Sequence, residues 1–443
     1  MAKNSKFYLE CKSCGEKIDD FSDWFAHGQK CPQCGCLQAD VQYYEDFANL
    51  VSMVKDPNFK PKSLWDYFNF MPVLNRQNII SEGFEGVNRI DNWAFFEDYA
   101  KRKYNLNIKV YAHRQDTNYA TGTFKDLAGT VVASVLKENK VKNYVGASTG
   151  NIGVAYSRYL AAAGISLTLF IPESSTKTQE AEVSTYGQTL YRVKGDYAAA
   201  KDMAKKFAQK FNLILTGGNF DPMRIEAKKT MVYEWLRVLP HFPTVFMQAI
   251  SGGSGPLGIA KSCKELEHLN VFDKMPRFIL PQPHRCAPMA EAWANAKKNN
   301  FPEGWAKEYP VYENPETTIV TLATGNPTAY PPLAELVKQS NGEIISCIEE
   351  KALDVTKLVA YETTMRVGPA AAITVVGFLQ SLREGTIKDG DVVMLNIGES
   401  TWRSPEYVAK LSYSTRFISS IDETELIDRE VYRKQLWDAI ETI

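Results

Sequence analysis

The sequence predicts an α/β fold of parallel sheets covered by helices, preceded by a small cysteine-bearing leader. Three observations predict it. From about residue 108 onward, short β-branched or apolar runs alternate with helical patterns, the arrangement that buries parallel strands between helices. Three junctions that open predicted helices are rich in glycine and small hydroxyl residues. Five of the eight cysteines fall between positions 11 and 36. At 443 residues, the chain has room for about two or three domains.

The leader comes first. Cys11-x-x-Cys14 and Cys31-x-x-Cys34 are separated by sixteen residues. Each pair can sit on a tight turn, and four such thiolates satisfy tetrahedral zinc at zinc-ribbon spacing. Gly15 and Gly35 follow the pairs, where a turn needs a permissive backbone. The other reading is a degenerate ribbon with free thiols. Four thiolates leave no open coordination position, so the site reads as structural. Cys36 and His27 are spare ligand candidates, while Cys263, Cys286 and Cys347 read as small packed apolar groups.

Residues 38–75 form an aromatic-rich, irregular arm with Trp65, Tyr67, Phe68 and Phe70. Strands are predicted over 108–112, 143–146, 166–171, 189–193, 244–250, 277–281, 343–348 and 391–397. Helical patterns cover 126–138, 152–163, 197–210, 257–266, 353–363 and 369–382. The tail beyond about Tyr407 is polar, with a surface helix predicted over 423–434.

Charge excludes some partners. Lys plus Arg number 51 and Asp plus Glu 52, a net charge of -1, which gives no electrostatic footprint for nucleic acid or an anionic membrane. The longest apolar run, about 370–379, is too short to span a bilayer. The N-terminus has no apolar segment after its lysines, so no secretory signal is expected. A cytoplasmic location with reduced cysteines follows as an expectation.

The three junctions carry the chemistry. Thr121–Asp126 places Lys125 at a helix start, where the dipole disfavours its ammonium. Desolvation would lower its pKa further, as an imine-forming amine requires; the plainer reading is a surface lysine. Gly146–Asn151 follows a strand, and its small residues suit a carboxylate or phosphate. An ordinary Ser or Thr N-cap reads equally well. The same stretch spells G-x-S-x-G, but a nucleophilic serine needs a histidine after a late strand, and none follows one. Ser251–Gly258 has the composition of a phosphate cradle, with Pro256 suited to a first helical turn. It also spells G-x-G-x-x-G, yet the next predicted strand leads into Gln282 rather than the acidic residue a dinucleotide site needs.

Together the junctions resemble those of pyridoxal-phosphate enzymes of the tryptophan synthase β fold type. TGTFKD is similar to their T-G-S-F-K-D lysine segment, ASTGN to their substrate-carboxylate loop, and SGGSG to their cofactor-phosphate loop. Order and spacing match too, and the resemblance spans about 65–405. With the leader it narrows to the threonine synthase branch. Within that branch, EGV at 85–87, FMQAISGGSG at 246–255, MPRFILPQPHRCAP at 275–288, GPAAA at 368–372 and LNIG at 395–398 resemble the paralogous cysteate synthases. Two features depart from threonine synthases. Residues 81–87 lack the T-P pair of their G-E-G-x-T-P-L segment, and Asn396 stands where they carry a Thr, with Ser400 four positions on.

The resemblance implies two doubly wound parallel-sheet subdomains behind a zinc ribbon. The expected division is ribbon 1–45, arm and first part of the large cofactor domain 46–130, smaller α/β domain 131–240, large cofactor domain 241–405 and C-terminal tail 406–443. Lys125 is then the covalent anchor of pyridoxal 5'-phosphate and the residue that moves the proton. Phe124 packs near the ring, Asn151 lies near the ring oxygen, and Asn396 or Ser400 meets the ring nitrogen. Gly252, Gly253, Ser254 and Gly255 grip the cofactor phosphate, and Cys11, Cys14, Cys31 and Cys34 hold structural zinc. Ser148, Thr149 and Asn151 hold the substrate carboxylate, with Arg114 and Arg366 as candidates for the leaving phosphate and for sulfite. The implied reaction is replacement of the phosphate of O-phospho-L-serine by sulfite, giving L-cysteate, in a homodimer. The alternatives are a threonine synthase acting on O-phospho-L-homoserine and water, and a zinc-ribbon binding protein with a non-catalytic body.

Overall fold

The leader folds into a three-stranded antiparallel sheet ordered Lys17–Ile18, Phe7–Cys11, Ala39–Tyr43. Alternate residues Phe7, Leu9 and Cys11 face inward, the period-two pattern of a half-buried strand. The structure, a computed structural model, describes residues 6–148, 150–411, 415–426 and 428–443. The leader is bound to the body at two places. Tyr43 donates to Glu226 at 2.6 Å and Lys261 donates to the Val41 carbonyl at 2.9 Å. Farther along, the Gln29 amide donates to the Leu215 carbonyl at 2.5 Å.

Two further sheets make up the body. One has six strands ordered Glu343–Cys347, Arg277–Pro283, Val245–Met247, Val392–Asn396, Lys109–His113 and Ile90–Asn92. Five run parallel, and Ile90–Asn92 is an antiparallel edge. Its three residues are too few for an alternating pattern to register, so the sequence reading missed it. The other sheet is parallel throughout, ordered Thr189–Val193, Ser166–Pro172, Asn143–Ala147, Ile214–Leu215. The helix Lys125–Glu138 packs against helices Asn151–Ala162 and Pro222–Val238. The expected boundary at 130/131 therefore falls inside one continuous helix.

Several elements differ from expectation for local reasons. The strand predicted over 244–250 ends at Met247, because the Ala249 N–H turns to Thr374 Oγ1 and the Ile250 N–H to the Pro281 carbonyl. The helix predicted from 257 starts at Ser254, capped by Gly253 at φ +87. The arm holds a regular helix, Phe47–Lys55. The tail helix is Arg429–Ile440, starting where the Asp428 side chain accepts from Glu430 and Val431. It is no free surface helix: Leu436 and Ile440 are buried, and it packs on Lys351–Thr363. Among the described residues no helix is long and apolar enough to cross a membrane.

Candidate active site

A cavity of about 200 Å³ opens where strands of both parallel sheets end. Ser148 follows Asn143–Ala147, Gln248 follows Val245–Met247, and Asn396 closes Val392–Asn396; all three line it. Open parallel sheets place ligands at the carboxyl ends of their strands.

Lys125 lines this cavity as the first residue of its helix, beside Phe124. Its Nζ lies 4.1 Å from the Phe124 ring centroid. Burial lowers its pKa to about 7; Arg224 pushes the same way and Glu399 opposes. The amine is therefore substantially neutral near pH 7, the form that attacks a carbonyl. The junction around it is rigid. Asp126 accepts from the Thr121 N–H at 2.9 Å and the Thr121 hydroxyl at 2.5 Å, and the Phe124 N–H donates to the Gly398 carbonyl at 3.2 Å.

Gly252, Gly253, Ser254 and Gly255 line the same cavity. Ser254 and Gly255 open a helix, whose first-turn N–H groups have no intrahelical partners and suit an anion. Gly252 and Gly255 are close-fitting: a Cβ at the first would displace the Asn219 amide, and one at the second the Gln248 amide. At the far side Asn396 is buried. Its amide nitrogen donates to Gln248 Oε1 at 2.8 Å, while its oxygen has no partner among the described residues.

Asn151 reaches the cavity from the start of its helix. Ser148 also lines it, but its Oγ accepts from the Gly150 and Gly153 N–H groups, both at 3.0 Å. That hydroxyl is committed to the turn, which also leaves no activated serine nucleophile there. Thr149 lies outside the described residues.

Three expected contacts are not brought to this cavity. Arg114, Arg366 and Ser400 line a second, strongly polar cavity of about 670 Å³. Arg114 is held there by Asp116 at 2.9 Å and Asp91 at 3.1 Å. Ser400 is turned away by its backbone. Glu399 bridges Thr123 and faces the first cavity, whereas Ser400 bridges Val367 and faces the second. Extended neighbours point to opposite sides.

The sequence reading missed Arg224, Lys201, Asn219 and Glu399, all of which line the first cavity. Arg224 donates through Nη1 to the Gly218 carbonyl at 2.7 Å, and its buried Nε has no partner among the described residues. Burial lowers the pKa of Lys201. Glu399 is buried and accepts from Asn151 at 2.8 Å and Thr321 at 3.2 Å. Burial raises its pKa against the pull of Arg403. The one local sequence signal was Asp221-Pro222, an N-cap followed by a first-turn proline that announces the helix carrying Arg224.

In the leader, the Sγ atoms of Cys11, Cys14, Cys31 and Cys34 all lie within 4.8 Å of one another. Cys11–Cys34 and Cys14–Cys31 are each 3.6 Å apart. A tetrahedron with metal–sulfur bonds of about 2.3 Å has edges of roughly 3.8 Å, so the quartet fits one metal ion. Gly15 and Gly35 both sit at φ +73, completing equivalent turns.

A buried lysine with a depressed pKa, a glycine cup at a helix start and an amide facing a polar cavity define a site for a phosphorylated carbonyl cofactor. The unpartnered Asn396 oxygen and the space kept clear by Gly252 and Gly255 fit such a group. The chain belongs to the family of pyridoxal-phosphate dependent enzymes, whose profile matches residues 98–398. It is 28% identical over 372 residues to a threonine synthase of Methanocaldococcus jannaschii, covering 83% of this chain and 87% of that one. It is 24% identical over 396 residues to a cysteate synthase of Methanococcoides burtonii, covering 88% of each. The cysteine synthase of Entamoeba histolytica superposes with a TM-score of 0.58 at 15% identity, over 81% of this chain and 94% of that one. The fold is the tryptophan synthase β-like one.

Proposed function

We propose that this chain replaces the phosphate of O-phospho-L-serine by sulfite, giving L-cysteate and inorganic phosphate. The observation that carries the reading is the pair of cations at the cavity, Arg224 and Lys201, with the Arg224 Nε unpartnered. Phosphate departs as an anion and sulfite enters as one, so one cationic site serves both. A threonine synthase also releases phosphate but takes up neutral water, so only the sulfite reaction calls on these cations for both the leaving and the entering group.

The bound pyridoxal phosphate supplies the electron sink that makes the α-proton labile. The residues supply the rest. Lys125 anchors the cofactor, takes the α-proton as a neutral amine and returns a proton at the end. Gly252, Gly253, Ser254 and Gly255 hold the cofactor phosphate, Phe124 packs by the ring and Asn396 meets its nitrogen. The start of the helix Asn151–Ala162 holds the substrate carboxylate. Arg224 and Lys201 hold the leaving phosphate, the part first assigned to Arg114 and Arg366.

The four leader thiolates are proposed to bind one structural zinc ion, and the enzyme to act in the cytoplasm, where those thiols stay reduced. A homodimer is proposed on the resemblance alone. The 28% identity to a threonine synthase favours a second reading, loss of phosphate from Cγ of O-phospho-L-homoserine with addition of water at Cβ, giving threonine.

The experiment is incubation with each phosphorylated amino acid, with and without sulfite, read by phosphate release and product mass. Cysteate from O-phosphoserine only when sulfite is present supports the proposal. Phosphate and threonine from O-phosphohomoserine in water alone would sink it.

A further inference from the structure

The Asn151 amide is gripped from both sides. Its Nδ2 donates to Glu399 Oε2 at 2.8 Å, and its Oδ1 accepts from Arg403 Nε at 3.3 Å. A guanidinium can only donate, so the Asn151 oxygen must face Arg403 and its nitrogen is left to Glu399. The two partners therefore permit one amide orientation. The flipped amide would set N–H against N–H on one side and oxygen against oxygen on the other.

Both partners are themselves fixed. Glu399 also accepts from the hydroxyls of Thr321 at 3.2 Å and Ser404 at 3.4 Å. Arg403 is 2% exposed and pairs with Glu182 on the helix Lys177–Thr185. Asn151 spends only one of its two Nδ2 hydrogens on Glu399, and among the described residues the other has no protein partner. Asn151 and Glu399 both line the cavity with Lys125.

We infer that Glu399 and Arg403 are positioning residues: together they set the Asn151 amide so that its spare N–H is presented to the bound cofactor. The inference rests on the family's cofactor and not on which nucleophile is used. It stands or falls separately from the cysteate reading.

The test uses the full chain, stripped of cofactor and titrated with pyridoxal 5'-phosphate. Glu399→Gln can present either an oxygen or an amide N–H to Asn151, so only Arg403 still holds the orientation. Loss of one charge-assisted hydrogen bond should weaken cofactor binding about tenfold and move the absorption maximum of the bound form. Glu399→Asp keeps an acceptor-only group and should restore the absorption maximum toward wild type. Arg403→Gln removes the other constraint and should shift the same band, which covers the case in which Glu399→Gln fails to fold. A folded Glu399→Gln or Arg403→Gln protein with wild-type affinity and an unmoved band overturns the inference. So does a Glu399→Asp protein that behaves no better than Glu399→Gln.

Discussion

Helices Lys125–Glu138 and Pro222–Val238 pack against each other, and both are buried along most of their length. Lys125–Glu138 is filled with Leu127, Val131, Val132, Val135 and Leu136. Its partner buries Arg224, Glu226, Lys228, Lys229 and Glu234. The first is held by close packing, the second by a charge network. Glu226 pairs with Lys229 at 2.8 Å and Lys261 at 2.9 Å, and Glu234 pairs with Arg237 at 2.5 Å. Among the described residues Lys228 has no carboxylate within ion-pair distance; its Nζ donates to the Arg224 carbonyl at 3.2 Å, and burial drives its pKa well below the usual lysine value. A polar helix can sit in a core only when partners from other elements meet it, and the end of this one faces a site that takes anions.

The strongest way to test that contrast is at the cavity. Lys125→Ala should yield colourless protein and lower turnover by about 10²–10⁴-fold, with its circular dichroism unchanged. A yellow variant would show that another amine holds the cofactor.

Stability comes next. Removing Glu226 leaves Lys229 and Lys261 with Glu265 alone to share, so Glu226→Ala should cost about 3–5 kcal/mol in urea unfolding. Leu136→Ala in the apolar helix should cost about 2–5 kcal/mol. The two losses differ in remedy. Replacing Glu226 and Lys229 together by leucine should recover most of the first, with Lys261 still paired to Glu265. No recovery would mean that the network does more than neutralise itself.

The pH dependence sharpens the role of burial. Desolvation holds the Lys125 amine near a pKa of about 7, so it is protonated below that pH and neutral above. Covalent capture of pyridoxal phosphate by the stripped protein should rise through about pH 7. A midpoint near 10 would mean that the lysine is solvated.

The smallest effect on chemistry is expected from the leader. Tyr43 ties it to Glu226, so removing metal with a chelator, or Cys31→Ser, should lower the melting temperature. The absorbance of bound cofactor should stay in place. A shifted band would extend the charged helix's dependence to the ribbon.

The same contrast explains what could be read in advance. Glycine junctions are legible because local geometry demands them: Gly253 at φ +87 holds a backbone conformation that other residues adopt only with strain. Strands such as Thr189–Val193 were legible through β-branched runs. Arg224 and Lys201 were not, because charged residues on a helix look like a solvated face until the facing elements are known. Arg114 and Arg366 were chosen by proximity in sequence, and chain direction carried them to another cavity. Glu399 and Ser400 are adjacent, yet strand alternation sends them to different sides.

The Gln29 bond to Leu215 has a mechanical corollary. The leader is anchored on Pro222–Val238 through Tyr43 and also grips the outermost strand of the four-stranded sheet. Any swing of that sheet must either stretch this bond or drag the leader along. The cysteine leader thus joins the helix Pro222–Val238 to the edge of the four-stranded sheet.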